Sequence, residues 1–108
     1  MAGYVPMAGG ALTIPMFIFR VGDWNRSNLT PRPQDGGKLS FRTSLNNPVG
    51  QPPVFRAGKP YIQVDTARLP PDSVVVDNDP PGHAYVVGVD PHVLRAAVVA
   101  RGTFPGDQ

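Results

Sequence analysis

The sequence predicts a mixed α+β fold with short strands, one helix near its C-terminal end, and long loops rich in proline and glycine. There are 12 glycines and 14 prolines among 108 residues, close to the share of about 25–30% that is typical of low-complexity chains. Leu, Ile, Val and Phe nevertheless supply 28 residues, above the level of about 20% below which disorder is expected. The apolar residues fall in short runs between turn residues, so we expect one ordered domain with stiff loops.

Five short segments carry strand signals: residues 16–21, 39–45, 61–65, 74–76 and 83–89. The first is an almost continuous apolar run, and the second is compatible either with a strand or with a strand that runs into a turn. In the last segment, alternation places His83, Tyr85, Val87 and Val89 on one face. Together these segments indicate a small sheet.

Proline and glycine define two long loops between the strands. Residues 29–37 cannot form the interior of a helix, because prolines flank Arg32 and two glycines follow. Residues 46–58 contain Pro48, Pro52 and Pro53. We therefore expect an extended backbone there, with Phe55 as an apolar anchor.

One helix is predicted from residue 91 to residue 101. Asp90 is a favourable N-cap, Pro91 suits the first helical position, and Gly102 is available to end the helix. One side of this helix would carry Leu94, Ala97, Val98 and Arg101. Such a helix is expected to cover one face of the sheet.

Residues 1–15 are expected to be a flexible leader, and residues 16–108 a single domain. The N-terminus has no basic region, and the apolar stretch from Ala11 to Phe19 contains Pro15. That stretch is far shorter than the roughly 20 residues that span a bilayer. We therefore expect neither a signal peptide nor a membrane partner.

The charged residues exclude several functional classes. The formal charge is only +2, which is too small for the broad basic field of a non-specific nucleic-acid binder. There is no Cys, all eight acidic residues are Asp, and there are two His. This composition excludes disulfides and disfavours a structural zinc site. Any mechanism must work without glutamate.

Several segments, taken in order, resemble the small bacterial ADP-ribosyltransferase-like toxins of the TreTu kind. They are Phe17–Val21, Leu29–Arg32, Leu39–Ser44, and Leu69–Val74 followed by Gly82–Val86. The resemblance implies a small, split and strongly bent β-sheet of the ADP-ribosyltransferase type, with NAD as the substrate in its central cleft. It covers about residues 16–104.

The resemblance also implies a function. The protein would transfer ADP-ribose from NAD to a protein target in the bacterial cytoplasm, possible targets including the translation machinery, and would inhibit growth. An NAD glycohydrolase, in which water replaces the acceptor, is the variant within the same class. A cognate immunity or antitoxin protein is an expected partner, and delivery from a secreted effector is compatible with this function.

Site residues follow from the same resemblance. Arg20 would contact a phosphate or the nicotinamide ribose, and its loss would abolish activity without unfolding the domain. Ser40 or Ser44 would orient the nicotinamide pocket. His83 and Tyr85 stand on the late strand, where better-known members of the superfamily use a glutamate. Positioning and electrostatics can supply much of the catalysis of glycosidic cleavage, so a site without glutamate remains feasible.

Arg42 and Trp24 complete the candidate cofactor-binding residues, Trp24 by stacking on adenine or nicotinamide. Each candidate also has a structural interpretation. Arg20 would form an ion pair with Asp23 or Asp65, and Trp24 would anchor the core. His83 would be a turn-side histidine satisfied by the backbone, and Ser40 and Ser44 would hydrogen-bond the loop backbone.

A different class of function is a non-catalytic β-rich module. Its proline-rich loops would present Arg32, Arg42 and Arg56 to an acidic partner. Nucleic-acid binding is the least favoured class, because the arginines are scattered and the aromatic residues form no stacking series.

Overall fold

The computed structural model describes residues 13–105. The predicted leader lies outside the described residues except for Thr13 to Pro15. The described chain forms one antiparallel sheet of six strands with short helical segments. The predicted α+β class is therefore confirmed. None of the helices in this part of the chain is long and apolar enough to cross a membrane.

The strands are β1 (Phe17–Val21), β2 (Lys38–Arg42), β3 (Pro60–Asp65), β4 (Val74–Val76), β5 (His83–Val87) and β6 (Val98–Thr103). The α-helix, α1, spans Pro91–Ala96, and two 3-10 helices span Pro33–Asp35 and Thr66–Arg68. The strand order across the sheet is β4-β5-β2-β1-β3-β6. All five predicted strands are present, and β6 is an addition to them.

The predicted helix is correct at its start and wrong at its end. Asp90 is the N-cap, and its carboxylate accepts the His92 N–H at 2.8 Å. The helix stops at Ala96, and residues 98–103 instead pair with β3 as β6. Valines at positions 98 and 99 favour a strand. Pairing also satisfies the backbone groups along the edge of β3, which outweighs the helical spacing of the sequence.

One face of the sheet is packed against α1 and the loops. Ile18, Phe41, Ile62 and Val64 are fully or almost fully buried there. The same cluster includes Leu29 from the first proline-rich loop and Leu94 and Ala97 at the end of the helical segment. The helix therefore covers one face of the sheet, as predicted. Phe55, the predicted anchor of the second loop, is buried and stacks on Phe104 at 5.6 Å between ring centroids.

The middle of the sheet is its weakest joint. β1 pairs with β3 at five positions and β2 pairs with β5 at five, but β1 and β2 share one registered pair, Phe19 with Arg42. The sheet thus joins two three-stranded halves through this one registered pair. The candidate site lies beside this joint.

Candidate functional site

Two cavities lie at the joint between β1 and β2, and both are lined by Arg20 and Ser40. The larger has a volume of about 480 Å³ and is otherwise lined mainly by polar residues: Ser27, Thr30, Arg32, Asp35 and Lys38. The smaller, of about 260 Å³, is lined also by Phe19, Val21, Phe41, Arg42, Val54 and His83. We call the two together the β1/β2 groove. The volume of the larger cavity is in the range of small-molecule sites.

Arg20 bridges the gap between the two halves of the sheet. Its Nη1 donates to the Ser40 carbonyl at 2.8 Å, and its Nε donates to the carbonyl and Oδ1 of Asn28 at 3.0 and 3.2 Å. The predicted ion pair is wrong, because Asp23 pairs with Arg101 and Asp65 with Arg68. Arg20 therefore has a structural role in addition to its position in the groove.

The groove around Arg20 is rich in positive charge. Burial lowers the pKa of Arg20, Asp35 opposes this effect, and Arg32 adds to it. An arginine remains protonated despite such a shift. Arg32 and Asp35 form an exposed pair at 3.0 Å, in which each holds the other in its charged form. Arg20, Arg32 and Lys38 together outnumber this one carboxylate in the larger cavity.

Ser40 and His83 meet across β2 and β5. The Ser40 Oγ lies 3.3 Å from the His83 Nε2, and the other ring nitrogen, Nδ1, lies 2.6 Å from Asp77 Oδ1. An ionised carboxylate can only accept a hydrogen bond, so the contact with Asp77 favours a ring that carries a proton on Nδ1. The three residues form a hydrogen-bonded series that ends in the groove.

The charge of Asp77 is stabilised by this series. Burial by itself raises the pKa of Asp77, but hydrogen bonds from His83 and from the Asp79 backbone N–H together lower it below its ordinary value of 3.8. Asp77 is therefore ionised at neutral pH.

The two candidate serines occupy different environments. Ser40 lies in the groove, whereas Ser44 lies in the turn after β2 and accepts the Asn46 backbone N–H at 3.2 Å. Tyr85 is the cross-strand partner of Ser40 and shares a face with His83, with 6.3 Å between their ring centroids. The Lys38 Nζ lies 4.8 Å from the centre of the Tyr85 ring. Tyr85 therefore lies beside Ser40 on the neighbouring strand, but it lines neither cavity.

Arg42 lines the smaller cavity, but its guanidinium is used within the fold. It is only 6% exposed, and it donates to the carbonyls of Pro81 and Asn46 at 2.8 and 2.9 Å. Its Nε has no partner among the described residues. The expectation that a loop presents Arg42 to a protein partner is wrong, because the side chain belongs to β2 and anchors the turn before His83.

Trp24 lies away from the groove. It packs against the core, and the guanidinium carbons of Arg95 and Arg101 lie 4.4 and 4.2 Å from its ring centre. The structure thus brings Arg20, Ser40, Arg42 and His83 together, with Tyr85 beside them, and places Trp24 and Ser44 elsewhere.

Asp77 is the site residue that sequence reasoning missed, because the segment from Asp77 to Gly82 has the composition of a turn. The pairing register of the β4 and β5 hairpin identifies Asp77 as a neighbour of His83. In the β4 and β5 hairpin Val76 pairs with Ala84, so the next position along the ladder places Asp77 opposite His83.

Comparisons with protein-family models, with curated proteins and with solved structures give no match to this chain. Among the described residues, no group of three or more potential ligand side chains is placed to hold a metal ion. The geometry of the groove therefore carries the functional interpretation.

Proposed function

We propose that this protein is an ADP-ribosyltransferase-like toxin that binds NAD in the β1/β2 groove and transfers its ADP-ribose to a protein in the bacterial cytoplasm. The observation that carries the proposal is that Arg20, Ser40 and His83, which come from three strands, line one cavity beside the registered pair of β1 and β2. The resemblance in sequence implies a split sheet and a cleft at this place.

The chemistry of the two cavities suits the two parts of the dinucleotide. The larger cavity, with Arg20, Arg32 and Lys38, offers donors to a diphosphate. The smaller cavity has the apolar walls Phe19, Val21 and Val54 beside Ser40 and His83. An aromatic amide such as nicotinamide needs such a combination of apolar surface and a few polar groups.

The reaction is cleavage of the bond between nicotinamide and ribose, through a transition state that resembles an oxocarbenium ion. The positive charge of the nicotinamide ring disappears as the neutral base leaves. Water as the acceptor would make the same site an NAD glycohydrolase.

The alternative of a non-catalytic module is weakened, because Arg42 is buried and cannot contact a partner. Of its three arginines, only Arg32 and Arg56 are exposed.

Release of nicotinamide from NAD by the purified protein tests the proposal. Ser40→Ala and Ser44→Ala are a matched pair, because each removes one hydroxyl, but only Ser40 lies in the groove. We expect release by the wild type and by Ser44→Ala, and a loss of roughly tenfold or more in Ser40→Ala, since the hydroxyl positions the reacting groups. Counting ADP-ribosylated protein against free ADP-ribose separates transfer from hydrolysis.

Absence of nicotinamide release from the folded wild type, with bacterial extract supplied as acceptor, would contradict the proposal. Inducible expression in bacteria tests the toxic effect. Growth should stop with the wild type and continue with His83→Gln at equal soluble expression. A neutralising partner protein is part of the proposal, because a cell that makes the active toxin needs protection.

A further inference from the structure

We infer that Asp77 is a positioning residue that holds the proton of His83 on Nδ1 and so makes Nε2 the base that deprotonates the acceptor. This inference rests on the proposed function and goes beyond it, since it names the groups that replace glutamate at the acceptor side. Its basis is the continuous series from Asp77 Oδ1 through the imidazole to the Ser40 Oγ, with contacts of 2.6 and 3.3 Å.

The hairpin between β4 and β5 fixes the position of Asp77. The Asn78 N–H donates to the His83 carbonyl at 3.0 Å, which continues the pairing of the two strands past the end of β4. The Asn78 Oδ1 accepts the Gly82 N–H at 2.6 Å, and the Asp77 Oδ1 accepts the Asp79 N–H at 3.2 Å. These bonds hold the carboxylate against the ring before any ligand binds.

Two positively charged side chains share the smaller cavity with His83. Arg42 is its registered partner on β2, and Arg20 lines the same cavity. Tyr85 is the titratable residue that follows on the same face of β5. Among the described residues, Asp77 is the acidic group that hydrogen-bonds the ring. It therefore provides the negative charge that faces the ring during transfer.

The transfer step forms one bond, breaks one bond and moves one proton. The acceptor, a hydroxyl, an amine or water, forms a bond to C1′ of the ribose while the bond from C1′ to the nicotinamide nitrogen breaks. The electron pair of that bond leaves with neutral nicotinamide. The proton of the acceptor passes to His83 Nε2, and the resulting imidazolium, which donates through Nδ1–H to Asp77, releases a proton to solvent. His83 is the catalytic residue, and Asp77 acts through it.

Two variants in the same turn test the inference. Asp77→Asn removes the charge from the ring, whereas Asp79→Asn removes a neighbouring carboxylate whose side chain makes no contact with the ring. NMR of the imidazole nitrogens gives the tautomer and titration of His83 without NAD. Nicotinamide release as a function of pH gives the rate.

In the wild type we expect the Nδ1–H tautomer and a rate that rises with pH as His83 loses its proton. Asp77→Asn should mix the tautomers, lower the rate by roughly tenfold or more, and move the rise toward acid, because an opposite charge beside the ring is lost. Asp79→Asn should match the wild type in tautomer, in rate and in the pH dependence of the rate.

An Nε2–H tautomer in the wild type, or an Asp77→Asn protein with unchanged tautomer and pH profile, would overturn the inference. A wild type that cleaves NAD at a rate independent of the His83 titration overturns the base role and leaves the proposed function intact. A folded wild type that neither binds nor cleaves NAD overturns both.

Discussion

Arg20→Ala should destabilise the fold substantially, because the side chain replaces backbone pairing between β1 and β2. The substitution removes the donor to the Ser40 carbonyl and the donor shared by the two oxygens of Asn28. Each hydrogen bond from a charged group contributes about 1.5–3 kcal/mol, and less where solvent reaches it. Two partly exposed interactions give an expected loss of about 2–4 kcal/mol in the free energy of unfolding.

Arg32→Ala is the matched control, since Arg32 lines the same cavity but its side chain is 72% exposed and pairs with Asp35 three residues away. Such a solvent-exposed pair contributes little to stability. Urea denaturation followed by circular dichroism gives both values. Equal stabilities of the two variants would refute the structural role of Arg20. A large loss of stability in Arg20→Ala would contradict the expectation that this substitution abolishes activity without unfolding the domain. The activity of Arg20→Ala must then be measured on the folded fraction.

Three further predictions concern backbone strain, capping and pH. In urea denaturation, Gly82→Ala should lower the free energy of unfolding by at least about 1 kcal/mol more than Gly37→Ala. Both glycines have a positive φ, but of the two only Gly82 would place a Cβ against a side chain, 2.7 Å from the Arg42 Nη2. Equal losses would show that the Arg42 side chain moves aside. Asp90→Ala should lower the unfolding free energy by about 1 kcal/mol, because it removes the cap of α1, and no change would mean that the cap is redundant. The hydrogen bond from Arg101 lowers the pKa of Asp23 below 3.8. The contribution of this ion pair to stability is therefore complete above pH 3.8, and it is lost as the pH falls through the lower pKa of the folded state. Asp23→Asn should therefore lose less stability than the wild type on acidification, and parallel losses would contradict this.

The sequence predicts the five strands that carry their own apolar runs, and the start of α1, because Asp90 and Pro91 act locally. It does not predict β6. Residues 96–100 have the small and apolar composition of a helix, and only the unpaired edge of β3, which is distant in the chain, draws them into the sheet. Locally, only Val98 and Val99 favour a strand, and strand propensity depends strongly on context.

The candidate site, like the fold, is predicted from the sequence only in part. Arg20, Ser40 and His83 were singled out from sequence, and the structure places them around one groove. The contacts of Arg20 with Ser40 and Asn28 depend on how β1 and the loop after it lie against β2, and the choice between Ser40 and Ser44 depends on where β2 ends. The sequence predicts that Trp24 either stacks on the dinucleotide or anchors the core, and its ring packs against the core with two arginines beside it. The role of Asp77 required the hairpin register.

An NMR titration of the isotope-labelled protein with NAD tests most directly whether the β1/β2 groove is the dinucleotide site. We predict that the backbone amide shifts will change in the segments around Arg20, Ser40 and His83, and will stay constant around Trp24 and Ser44. No change at millimolar NAD, or changes centred on Trp24, would contradict the assignment of the groove as an NAD site.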